Sequence, residues 1–252
     1  MQVLLSSLVE EASRYLGSAR IADYCPNGLQ VQGRPVVQRI ISGVTASQAL
    51  LDAAVEAGAD LLLVHHGYFW KGEDPCVTGI RQHRLKTLLG HDISLLAYHL
   101  PLDMHPEVGN NVQLARLLGF GIDGPLEPGN PKSVGLVGHL EQPLSPVALQ
   151  QHVSQMLDHE ALLVAGSRPV QRIAWCTGAA QGQISQALAM GVDAYLTGEV
   201  SEQTVHIARE TGLTFLAAGH HATERYGVQA LGRYLAEHFG VEHHFIDCPV
   251  PV

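Results

Sequence analysis

The chain has 252 residues, 46% of them hydrophobic and 15% charged, and a formal charge of −9 with only three lysines. That length supplies the core of one large domain or two compact ones without covalent staples. The acidic balance argues against nucleic acid as a bulk partner, and no apolar run reaches the roughly 20 residues that a bilayer span requires.

The opening segment "MQVLLSSLVEEASRYLG" has no basic stretch and no small-residue cleavage site, so it does not read as a signal peptide. Its Leu5, Leu8, Ala12, Tyr15 and Leu16 recur at helical spacing and predict an amphipathic first helix. "NGLQVQG" predicts an antiparallel hairpin or an edge strand. Next come a β-branched strand "RIISGVT", an alanine- and leucine-rich helix closed by Gly58, and a second strand "DLLLVHH". "HDISLLAYHLPLD" is an apolar strand ending in polar residues, and "NNVQLARLLG" is a helix. A Pro- and Gly-rich stretch, "GPLEPGNPKS", reads as a joint.

Beyond that joint the pattern repeats. "RPVVQRIISGVTASQALLDAAVEAGADLLLVHHG" from Arg34 is echoed by "RPVQRIAWCTGAAQGQISQALAMGVDAYLTGEV" from Arg168. From Gln38 and Gln171 the two align without a gap, matching Ala46 with Ala179, Gly58 with Gly191 and Asp60 with Asp193. "LVEEASRYL" is likewise matched by "LQQHVSQML", and "TGLTFLAAGHHATE" is again a strand followed by a helix, "RYGVQALGRYLAEHFG". The expected fold is therefore α/β: two similar units at 1–124 and 125–252, with mostly parallel sheets and the option of exchanged, interlocked elements.

Polar residues gather where these strands end, which is where α/β sheets place ligands. They are His65 and His66, His99 and Asp103, Glu199, and His220, His221 and Glu224. Singly, each has an ordinary explanation: a hydrogen-bonded core histidine, a turn cap, a first-turn carboxylate. Together, imidazoles and carboxylates suit zinc, iron, manganese or nickel. A strand end turning at Gly67 can aim both His65 and His66 at one cavity. His220 and Glu224 lie one helical turn apart on one face, from which His221 turns away. In "GYFW", Tyr68 and Trp70 offer surfaces on which a ring could stack. The four cysteines, Cys25, Cys76, Cys176 and Cys248, form no C-x-x-C pair and read as small buried residues in a reducing, cytoplasmic compartment.

"DYCPNGLQVQG", "GVTASQALLDAAVEAGADLLLVHHGYFWKGE", "HLPLDMHPEVGNN", "TGEVSEQT" and "AAGHHATERYG" resemble the Nif-three-like family, in particular its bacterial YbgI-type branch, labelled type-two GTP cyclohydrolase-like. The resemblance runs almost end to end. It implies a duplicated α/β fold, a dinuclear metal centre and a toroidal homohexamer. It also implies two divalent ions per chain on His65, His66, Asp103, His220 and Glu224, with Glu224 bridging them.

The leading expectation is a metal-dependent hydrolase acting on a nucleotide or related heterocycle. His65 and His220 would hold one ion and His66 and Asp103 the other, with His99 as a base or an orienting neighbour. The alternatives are a metal-storing ring or scaffold without turnover, and a phosphoesterase acting on damaged nucleotides or nucleic-acid ends. Arg81, His83, Arg84 and Lys86 would serve the last of these.

Overall fold

A computed structural model describes residues 1–252. In chain order the elements are β1 (Val3–Leu4), α1 (Leu5–Leu16), β2 (Gly28–Val31), β3 (Val36–Val37), β4 (Arg39–Thr45), α2 (Gln48–Glu56), β5 (Leu61–His66), α3 (Gly79–Gly90), β6 (Ser94–Ala97) and α4 (Leu100–Met104). They continue with α5 (Asn110–Leu118), β7 (Gly121–Pro125), β8 (Leu136–Leu144), α6 (Pro146–Leu157), β9 (Leu162–Val164), β10 (Val170–Cys176), α7 (Ile184–Ala189), β11 (Ala194–Thr197), α8 (Glu202–Thr211), β12 (Thr214–Ala217), α9 (His220–Phe239) and β13 (Glu242–Phe245). No helix is long and apolar enough to cross a membrane.

The chain forms two compact α/β units. The first comprises Met1–Val108 and Gly227–Cys248, and the second comprises Gly109–Tyr226 and Pro249–Val252. In the first, five strands lie in the order β13-β4-β5-β6-β2. The contacts β13–β4, β4–β5 and β5–β6 are parallel, and β2 closes the edge antiparallel to β6. The run Leu61–Val64 is buried on both faces, as a central parallel strand must be. On one side Leu61 and Leu63 join Leu5, Leu8 and Ala12 of α1 and Val228, Leu231 and Leu235 of α9. Leu62 and Val64 face Leu50, Leu51 and Ala54 of α2. The predicted first helix stops at Gly17, which takes the left-handed conformation (φ 62°) usual for a helix end.

In the second unit six strands lie in the order β7-β8-β10-β11-β12-β9. β10, β11 and β12 are mutually parallel and β9 is the antiparallel edge. Trp175 and Leu196 pack with Leu149, Val153 and Leu157 of α6, while Tyr195 and Phe215 pack with Ile184 and Ala187 of α7.

Aligned positions make the same contacts in the two units. Asp60 Oδ2 accepts from the backbone N–H of Gln38 (2.7 Å) and Arg39 (3.0 Å), and Asp193 Oδ2 accepts from Gln171 (3.1 Å) and Arg172 (2.9 Å). Arg34 pairs with Asp60 at 2.7 Å and Arg168 with Asp193 at 3.2 Å. In each unit a carboxylate at the start of one strand ties down the start of its neighbour, which fixes the register and the height at which both strands end.

Candidate metal centre

In the first unit, β5 delivers His65 and His66, and the segment after β6 delivers His99 and Asp103. His65 is fully buried, Asp103 is 5% exposed and His99 is 7% exposed. Buried polar side chains need partners, and these are specific. His65 Nδ1 lies 2.9 Å from the Tyr98 carbonyl. Because a carbonyl only accepts, Nδ1 carries the proton and Nε2 is left as the electron-pair donor. That Nε2 lies 3.5 Å from Asp103 Oδ1. Asp103 thus stands beside the electron-pair donor of His65. His66 Nδ1 is held by Thr45 Oγ1 at 3.0 Å.

His99 is fixed most thoroughly. Its Nδ1 donates to the Asp23 carboxylate (3.0 and 3.2 Å to the two oxygens), and its backbone N–H donates to Asn27 Oδ1 at 2.7 Å. The Asp23 carboxylate also accepts from the Asn27 side chain and from the backbone N–H of Leu100. Burial works to raise the Asp23 carboxyl, but the hydrogen bonds from His99 and Asn27 outweigh it and hold the pKa at about 2. Cys25, close by, is pushed up to about 12, first by burial and then by the charge of Asp23, so its thiol stays protonated.

Of the aromatic run, Trp70 reaches this cluster. Its half-buried ring meets His99 edge to face at 5.0 Å and lies 6.0 Å from His66. Tyr68 does not: it is 6% exposed, packs in the core, and donates its hydroxyl to the Ala46 carbonyl at 2.8 Å. Its ring is therefore closed to a stacking ligand. Tyr24, which drew no attention in the sequence, is 53% exposed and meets His99 edge to face at 5.0 Å.

In the second unit, α9 opens with His220, and Glu224 follows one turn on. His220 Nε2 lies 3.1 Å from Glu224 Oε2, and its Nδ1 donates to Glu199 Oε1 at 2.7 Å. Burial lowers the His220 pKa, but Glu224 and Glu199 together overcome this and raise it to about 9. Glu199 is therefore the group that orients His220. His221 donates its backbone N–H to the Val252 carbonyl.

Glycines at the strand ends let α9 approach. Gly178, just past β10, has φ 69°, and a Cβ there would overlap Glu224 Oε1. At Gly198 a Cβ would lie 2.6 Å from His220 Cα. "TGAAQG" carries no phosphate-loop signal, yet Gly178 makes the space in which Glu224 sits.

The donor set passes a chemical test for a divalent ion. His65 and His220 each present Nε2 to a carboxylate, with Nδ1 fixed by an outer acceptor, which is the usual construction of metal-binding imidazoles. His65, His66 and His99 form one group able to hold an ion, their ligand atoms within 4.8 Å of one another.

The sequence profile of the Duf34/NIF3 (NGG1p interacting factor 3) family matches residues 3–251. A curated protein of Pseudomonas aeruginosa, named GTP cyclohydrolase 1 type 2 homolog, is 72% identical, with all of both chains covered. The Escherichia coli K12 protein of the same name is 53% identical over 98% of each chain. The solved structure of protein ybgI, described as of unknown function, superposes with a TM-score of 0.95 at 51% identity, covering 99% of this chain and 100% of that one.

Proposed function

We propose, from the premise that this chain belongs to the Duf34/NIF3 family, that it binds two divalent metal ions and uses them to hydrolyse a nucleotide or related heterocycle. His65, His66 and Asp103 of the first unit and His220 and Glu224 of the second would supply the ligands, with Glu224 serving both ions. The ions would be zinc, iron, manganese or nickel, which accept imidazole and carboxylate together. One observation carries the reading: in each unit an imidazole, buried at His65 and half-buried at His220, donates its Nδ1 proton to a fixed acceptor and turns Nε2 toward a carboxylate.

When bound, such a pair of ions lowers the pKa of a shared water and polarises the bond under attack. The chain's own residues do the rest. Tyr98, Thr45 and Glu199 lock the imidazoles and so reduce the reorganisation needed during reaction. Asp23 holds His99 with Nδ1 protonated, leaving Nε2 to take or orient a proton beside His65 and His66. Trp70 offers an edge against which a flat substrate can rest. Assembly as a homohexamer belongs to the same proposal.

Metal analysis of untagged protein tests it. We expect close to two ions per chain, loss of at least one in Glu224→Gln, and release of formate or phosphate from a nucleotide panel after metal is restored. Two ions without any turnover would favour a metal-storing ring or scaffold. One ion in both wild type and variant would refute the dinuclear centre.

A further inference from the structure

The connection from β5 to α3 runs over twelve residues, 67–78, whereas its counterpart in the second unit, from β11 to α8, takes four, 198–201. Strand-to-helix connections commonly span roughly 2–6 residues, and longer ones usually carry function. The added length starts directly beyond His65 and His66. Its root is fixed: Tyr68 donates its N–H to Gln30 Oε1 at 2.7 Å and its hydroxyl to the Ala46 carbonyl. Phe69 follows, 39% exposed and in the left-handed conformation (φ 67°). That conformation strains a bulky side chain and persists only where the chain is held on both sides. Trp70 to Glu73 then form a turn, with the Glu73 N–H donating to the Trp70 carbonyl at 3.1 Å and the Trp70 N–H to Glu73 Oε2 at 3.2 Å. Residues 71–80 are all exposed.

We propose that this turn is a lid over the strand-end histidines, pivoting at Phe69, and that the structure holds it closed. Its purpose rests on the metal-binding reading above; its motion does not. Trp70 is the part that covers the site, its ring 5.0 Å from that of His99 and 6.0 Å from that of His66. Three contacts latch it: the Trp70 ring itself, the Lys71 N–H on the Tyr24 carbonyl at 2.7 Å, and the Glu73–Arg81 pair at 2.5 Å. The last lies at the surface, where ion pairs contribute little. Arg81 also holds the Asp74 carbonyl, so the slack lies in residues 75–78. Because the turn carries its own hydrogen bonds, it swings as one piece. Opening gives up one backbone hydrogen bond, one ring contact and an exposed ion pair, and it releases the strain at Phe69. The closed state is thus held by few contacts against a strained pivot, as a gate requires.

The test labels the metal-free full chain with diethyl pyrocarbonate. Mass spectrometry follows modification of His99, 7% exposed, against the exposed His91 as reference. We expect Trp70→Ala to speed labelling of His99 at least about fivefold, the scale of one lost aromatic contact, with His91 unchanged. Phe69→Gly decides the pivot, because removing Trp70 bares His99 whether or not the turn moves. It should slow labelling about threefold, since glycine takes the left-handed conformation without strain and so keeps the lid shut. Zinc supplies a second readout. Each variant should change the rates of Zn2+ uptake and of release to a chelator by the same factor, because a lid sets the rate of passage and leaves affinity alone. Labelling of His99 at the wild-type rate or faster in Phe69→Gly would overturn the lid, as would a rise in Trp70→Ala matched at His91. A fall in Zn2+ affinity equal to the gain in release rate would overturn it too, making Trp70 a support of the metal. A wild type that binds no Zn2+ would refute the metal reading alone, and the labelling, which needs no ion, would still decide the lid.

Discussion

Among single residues, Asp60 and Asp193 hold aligned positions but differ in burial. Each accepts two backbone N–H bonds, yet Asp60 has only 11% of its side chain exposed against 19% for Asp193, and its arginine is nearer. Removing a buried charged acceptor leaves its donors without partners. Asp60→Ala should therefore cost about 3 kcal/mol and Asp193→Ala about half of that, by, as read from urea unfolding midpoints. His243 makes a pH prediction. Burial, and then the charges of Arg233 and His244, lower its pKa to about 4, and Nε2 lies 2.7 Å from Ser42 Oγ. Because the folded value is below the unfolded 6.5, the unfolded chain binds the extra proton first. The contribution of His243 is complete above pH 6.5 and is lost as pH falls toward 4. His243→Gln should flatten stability across that window, though not abolish its slope, since burial also lowers the pKa of His105. The candidate ligands could be read from the sequence because they cluster at strand ends. Asp23 could not, because nothing local in "DYCPNG" shows that its carboxylate meets His99, 76 residues away.

The ends of strands, more than their middles, decide what this chain can bind. Parallel strands and their helices were visible as apolar runs alternating with helical spacing, and of the two readings open for "NGLQVQG", a hairpin or an edge strand, β2 takes the second. The role of Gly178 was not visible, since a glycine after a strand normally marks only a turn. Its lack of a side chain matters because Glu224 occupies the space. Gly178→Ala should therefore lower the bound metal by about one ion per chain, by displacing a carboxylate it does not replace. Gly72→Ala is the control. Gly72 also has positive φ (93°), but nothing lies within 4 Å of its would-be Cβ, so strain alone should leave metal content unchanged. Equal metal loss in both variants would mean that backbone strain, and not the overlap with Glu224, is responsible.

At the scale of the molecule, the proposed homohexamer is the simplest prediction to check. Light scattering should give a mass near six times 27.1 kDa, with little monomer at micromolar concentration. A clean monomer would remove the ring from the proposal while leaving the ligand sets untouched. The division of the chain has a different consequence. The first unit is completed by Gly227–Cys248, whose Val228, Leu231, Leu235 and Val241 fill the same core as Leu5, Leu8 and Ala12. A gene fragment encoding only the first 108 residues would leave that core without one wall, and the product should be insoluble or captured by chaperones. Supplying residues 227–248 as a separate peptide should rescue it. In heredity as in the laboratory, the first unit is then not a portable module: a recombination event that cut the gene near its middle would part its two segments and hand on neither with a complete core.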